Sequence, residues 1–169
     1  IATAVAKYWV CKRAPAMIYE AMECLGGNGY VEESILPRLY REAPVNAIWE
    51  GSGNVMCLDV LRALAREGEA ARAALGDLVS LCAGLPGAKE AAAFVANTLT
   101  AADGEARARA AVERLALLAA AAALTRSAPD VAGIFAAARL GTPRGGTFGT
   151  ADLPDNDVVK LLSRALPAA

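Results

Sequence analysis

The segment from Glu105 to Arg126 constrains this chain more than any other. It contains neither glycine nor proline, and alanine and leucine dominate it. Both residues lose little side-chain freedom in a helix, so a long helix is the cheapest conformation available. Its apolar centre, Leu115 to Leu124, is too short to span a bilayer and suits a core helix. Hydrophobic residues make up 56% of the chain but aromatics only 5%, which predicts helices in close contact through small side chains. Strict alternation and β-branched runs are missing, so no sheet is expected. The expected class is all-α: an antiparallel helical bundle followed by an additional Ala-rich helical tail.

Glycine and proline divide the rest. Residues 1–25 read as one amphipathic helix, kinked or locally tightened at Pro15 and stopped by Gly26-Gly27-Asn28-Gly29. A short unit spans 34–46, with Ser34 as cap, Pro37 at its start and Pro44 breaking it. Residues 46–51 read as an extended connector, and a helix then runs from Gly51-Ser52-Gly53-Asn54 to Arg66. Beyond Glu67-Gly68-Glu69, helices are expected at 69–83, 87–101, 105–126 and 129–140. A loop over Gly141–Gly149 and a last helix from about Asp155 to Leu166 follow. The loop lacks the Gly-Lys-Ser/Thr of a phosphate-binding P-loop. The composition shift near 67 predicts two units, 1–66 and 67–169. The chain opens on Ile1, inside a predicted helix, which predicts a piece of a longer protein.

Charge and ligand chemistry narrow the function. The net charge of −1 exerts no general pull on nucleic acid or anionic lipid, and residues 66–169 are neutral overall. A local basic face could still form from Arg107, Arg109, Arg114 and Arg126. There is no histidine, and Cys11, Cys24, Cys57 and Cys82 fit no metal-binding spacing, so no metal site is expected. Reduced thiols and the absence of a leader or spanning segment point to a cytoplasmic protein without a membrane partner.

Two segments stand apart from the helical background. Glu23-Cys24-Leu25-Gly26-Gly27-Asn28-Gly29-Tyr30 packs three glycines into four positions, either to stop a helix or to bring amides close to a phosphate or nucleotide edge. Ile48-Trp49-Glu50-Gly51-Ser52-Gly53-Asn54 places an acid between an indole and a helix start. Burial beside Trp49 would raise the carboxyl pKa and suit a general base; an ordinary capping acid would instead stand in solvent. Arg38 and Arg41 can pair with Glu42 or Glu33, and Asp59 with Arg62.

Taken together, the double-glycine turn, the Arg38-Leu39-Tyr40-Arg41 unit and the Glu50-Gly51-Ser52 segment resemble the acyl-CoA dehydrogenase family. The run from Glu33 to Arg62 is similar, more narrowly, to its AidB-like branch, linked to the adaptive response to alkylating agents. The resemblance covers residues 1–65, and a tail beyond the bundle is itself similar to that branch.

The resemblance implies a flavoprotein oxidoreductase with a helical domain, a β-barrel and a carboxyl-terminal four-helix bundle. This chain would supply the later helices of the bundle and the tail. It implies FAD as cofactor, an acyl-CoA substrate and a homo-oligomer, a tetramer. Glu50 would be the base that takes the α-proton of the thioester, and its own N–H one donor to the thioester oxygen. Ile48, Trp49, Gly51, Ser52, Gly53 and Asn54 would meet the adenosine part of FAD, Ser52 standing for a threonine of the family and Asn54 for a longer acid or amide. Gly26, Gly27, Asn28 and Gly29 would approach the ADP half across a subunit contact, where Glu23 replaces a glutamine. Arg62 falls where the branch is tied to double-stranded DNA. The alternatives are a DNA-associated flavoprotein with vestigial dehydrogenase activity, and a helical oligomerisation module.

Overall fold

The computed structural model describes residues 1–141 and 146–166. Nine helices and no strand occur among them: α1 (Ala2–Cys24), α2 (Gly27–Tyr30), α3 (Leu36–Asn46), α4 (Gly53–Arg66), α5 (Gly68–Leu81), α6 (Ala88–Thr100), α7 (Gly104–Ser127), α8 (Pro129–Arg139) and α9 (Asp155–Ala165). The fold is all-helical.

The alanine- and leucine-rich segment forms α7, the axis of the molecule. Its buried positions include Ala108, Ala111, Val112, Leu115, Leu117, Leu118 and Ala121, which do not fall on one stripe. Several faces of α7 are covered: α1, α4, α5, α6 and α8 all pack on it, while Glu105, Ala106, Arg109, Ala123, Arg126 and Ser127 stay exposed. Alanine at these contacts removes the bulk that would hold the helices apart. One core cluster joins Cys82, Ala91 and Ala92 to Leu117, Leu118, Ala121 and Ala136. A second joins Val5, Tyr8, Cys57 and Val60 to Val95, Ala108, Val112 and Leu115. Trp9 and Leu78 pack against both.

Four local expectations need correction. Pro44 does not end its helix; α3 continues through it to Asn46. The proline removes the bond to the Tyr40 carbonyl, and the helix ends two residues later. Ser34 does not cap α3: Ile35 holds that position without a side-chain bond, and the Ser34 hydroxyl is buried without a partner. Residues 46–51 are not extended. The Ala47, Ile48 and Trp49 amides donate back to the Pro44 or Val45 carbonyls at 3.1, 3.0 and 2.8 Å, giving a chain of tight turns. The glycine-rich stop contains a helical turn of its own, α2, entered through Gly26 at φ 58°. Gly29 is buried there because a Cβ would strike the Met22 carbonyl, so α2 lies directly on α1.

Pro15 lies inside α1, which runs unbroken from Ala2 to Cys24. The Gly141–Gly149 loop falls partly on residues 142–145, outside the described residues. Beyond them the Phe148 ring lies under the Arg13 guanidinium, 4.3 Å away. The fold leaves an apolar groove of 590 Å³ between α1, α5 and α7, walled by Val5, Trp9, Leu75, Leu78 and Leu115. No helix of the described residues is long and apolar enough to cross a membrane.

Candidate functional site

The turn between α3 and α4 carries Glu50, and its backbone is unusual. Glu50 has φ 53°, the one left-handed non-glycine residue among those described, and Gly51 follows at φ 112°. A side chain in that region costs roughly 1 kcal/mol, so something must hold it there. The holding group comes from α1. Lys7 Nζ donates to the carbonyl oxygens on either side of Glu50, that of Trp49 at 2.5 Å and that of Gly51 at 2.7 Å.

Glu50, Trp49 and Asn46 form one wall of a 270 Å³ groove; Lys7, Val10, Cys11 and Ala14 of α1 form the other. Within this chain the groove is open. Trp49 is 68% exposed, Ile48 is 69% exposed, and Glu50 is exposed too. The burial expected beside the indole is therefore not supplied by the described residues. The physical reason is local: Ile48, Trp49 and Glu50 stand on a tight turn at the rim of the bundle, and none of the nine helices lies over them.

The start of α4 adjoins this turn. Ser52 is its N-cap residue, extended at φ −65° and ψ 165°, and its hydroxyl makes no capping bond. The first-turn amides thus carry the positive end of the helix dipole without a side-chain acceptor. Gly53 is buried; a Cβ there would meet the Lys12 side chain at 2.5 Å and the Tyr8 ring at 3.4 Å. A larger residue there would require the Lys12 side chain to move. On the other side, Arg109 of α7 donates to Asn54 Oδ1 at 3.4 Å, and the nearby Tyr8 raises its pKa. Below it the Cys57 thiol is 1% exposed, and burial raises its pKa although Arg109 and Lys12 pull the other way. Lys7, Lys12, Tyr8 and Arg109 are absent from the sequence reading of this site. They lie far along the chain from residues 49–54, and no local spacing marks them.

The structure gathers Ile48, Trp49, Glu50, Gly51, Ser52, Gly53 and Asn54 into one turn and helix start. Gly26, Gly27, Asn28 and Gly29 do not line the Glu50 groove. Gly26 and Gly27 face open space, with nothing within 4 Å of a Cβ, so that turn offers an accessible backbone. Arg62 donates to Asp59 at 3.0 Å as the spacing predicts. Arg38 pairs with Glu42 at 3.0 Å, but Arg41 takes Glu32 rather than Glu33, at 2.5 and 3.0 Å. Of the four arginines that could form a basic face, Arg107 and Arg114 lie over the Phe94 ring at 4.8 and 3.9 Å, while Arg109 and Arg126 are exposed.

This constellation meets a known one. The acyl-CoA dehydrogenase C-terminal domain matches residues 1–65, which carry both glycine-containing turns, the Glu50 turn and nearly all of α4. Residues 1–65 thus resemble the acyl-CoA dehydrogenase family. Over 65 residues the chain is 66% identical to the putative acyl-CoA dehydrogenase AidB of Escherichia coli, covering 38% of this chain and 12% of that protein. It is 52% identical over 60 residues to acyl-CoA dehydrogenase family member 11 of Caenorhabditis elegans, 36% of this chain and 10% of that one. The bovine mitochondrial short-chain specific acyl-CoA dehydrogenase is 40% identical over 57 residues, 34% of this chain and 14% of the relative. The chain therefore spans only a small part of the acyl-CoA dehydrogenases it matches. Arg109, which reaches into the matched region, comes from outside it.

Proposed function

We propose that this chain is the carboxyl-terminal part of an FAD-dependent acyl-CoA dehydrogenase-like oxidoreductase, with Glu50 as the base for the α-proton. One observation carries the reading. An acid is held in a left-handed turn on the wall of a groove, at the start of a helix, inside the segment that matches the family. A turn that costs free energy and is clamped from a neighbouring helix is expected where a side chain must be aimed.

The chain's own groups fit the anionic part of a nucleotide cofactor. The uncapped amides at the start of α4 lie beside Gly51 and Gly53, with the Lys12 and Arg109 cations close by. Ser52 and Asn54 add a hydroxyl and an amide for polar contacts, and the Gly26–Gly29 turn offers a second open backbone. FAD, when bound, supplies the acceptor for the hydride that leaves the β-carbon. The Glu50 carboxylate takes the α-proton, a double bond forms between the α- and β-carbons, and the Glu50 N–H donates to the thioester oxygen. A carboxylate needs a dry setting to act near neutral pH, so the reading requires further protein, cofactor or substrate to close the groove over Trp49 and Glu50. Exposed Tyr30, Ile35, Ile48 and Trp49 are suited to such cover, including a subunit contact in a homotetramer.

A double-stranded DNA role finds less support. Arg62 is paired with Asp59, and three of the four arginines that could form a basic face make contacts within the chain. The visible spectrum of the full-length protein tests the proposal. It should show a bound flavin that bleaches when butyryl-CoA is added without oxygen. A colourless protein, or a flavin indifferent to a series of acyl-CoA esters, would overturn it.

A further inference from the structure

We infer that Lys7 is the positioning residue for Glu50: its ammonium group fixes the turn from which the carboxylate is aimed. The inference rests on the reading of Glu50 as base. Its grounds are geometric. Lys7 reaches the Trp49 and Gly51 carbonyls at once, at 2.5 and 2.7 Å, so the peptide planes 49–50 and 51–52, on either side of the Glu50–Gly51 step, are tied to one point on α1. Glu50 between them occupies the left-handed region at φ 53°, and Gly51 follows at φ 112°. Without the tie, the chain at Glu50 would relax toward the right-handed or extended basins that an L residue prefers, and the carboxylate would swing away with it.

A lysine suits this task. Its ammonium donates in three directions and accepts nothing, so two carbonyls can be gripped while a third N–H remains. Lys7 sits in the second turn of α1, and α1 is anchored on both sides of it by buried Val5 and Tyr8. The clamp is therefore mounted on a fixed element. Lys7 also lines the groove that Glu50 lines. Its part in the reaction is indirect: it holds the backbone on either side of the base.

The test uses the full-length protein with its flavin and the variants Lys7→Met, Lys7→Arg, Glu50→Gln and the Lys7→Met/Glu50→Gln pair. Methionine keeps the length of the side chain and removes the donors. In Lys7→Met, amide exchange of the peptide spanning 47–53 should rise about tenfold, with flavin content unchanged. The rate of flavin bleaching by butyryl-CoA should fall about a hundredfold with its KM within about twofold, the penalty for a base misplaced by an ångström or so. Lys7→Arg should recover part of that rate, and Lys7→Met should cost nothing further once Glu50 is Gln. A Lys7→Met protein that bleaches like the wild type, or whose turn exchanges no faster, overturns the inference and leaves Glu50 untouched. Additive losses in the pair overturn it as well. A wild-type protein that fails to bleach overturns the dehydrogenase reading and this inference with it.

Discussion

Glu50 combines a chemical role with a conformational cost, and the two can be separated. At φ 53° it sits where glycine would be content, so Glu50→Gly should stabilise the fold by about 0.5 to 1 kcal/mol. Urea denaturation checks this; a destabilised variant would mean that the side chain makes contacts outweighing the strain. Glu32 gives a pH-dependent case. The hydrogen bond from Arg41 lowers its carboxyl pKa, slight desolvation opposes this, and the Arg41 charge adds to the lowering. A carboxylate whose folded pKa is depressed contributes stability above its unfolded pKa and loses it as the pH falls through the folded one. An NMR titration should find Glu32 below the usual glutamate value and Arg41→Met should return it upward. The Glu50 segment was legible because an indole, an acid and three small or flexible residues are contiguous. Its support was not. Lys7 and Arg109 lie 42 to 55 residues from the groups they bond, and a lysine or arginine on a helix face carries no mark of its partner.

Among the elements, the helices were readable because glycine and proline punctuate an alanine-rich text. The limits of α5 to α9 fall within a residue or two of expectation. Pro44 stands in the last turn of α3, which carries on for two residues beyond it before ending. What the sequence does not declare is that five helices pack on α7, since its alanines make it only weakly amphipathic. The consequence is a sharp contrast between two leucine- and valine-bearing helices. Leu118 on α7 is fully buried, and Leu118→Ala should cost about 3 kcal/mol. Val159 on α9 is 65% exposed, and Val159→Lys should change stability by less than about 0.5 kcal/mol. Denaturant midpoints compare the two directly. A mild loss at Leu118 would mean that α7 is not the axis described.

In the molecule as a whole, the matched segment and the tail share a core. The second cluster takes Val5, Tyr8, Cys57 and Val60 from one side of the 66/67 boundary and Val95, Ala108, Val112 and Leu115 from the other. Arg109 ties the tail to the start of α4 across the same seam. Residues 1–66 and 67–169 should therefore unfold together, with Trp9 fluorescence, read in a Trp49→Phe background, and helical circular dichroism losing signal at one midpoint. Two transitions would show that the seam is weak. A shared core gives the Glu50 turn a rigid frame, and the frame matters only if Glu50 does chemistry. The deciding measurement is the anaerobic bleaching rate of the full-length Glu50→Gln protein with butyryl-CoA. A drop of about a thousandfold, with flavin content and acyl-CoA binding retained, is expected of a lost base. Bleaching at the wild-type rate would contradict the assignment of Glu50.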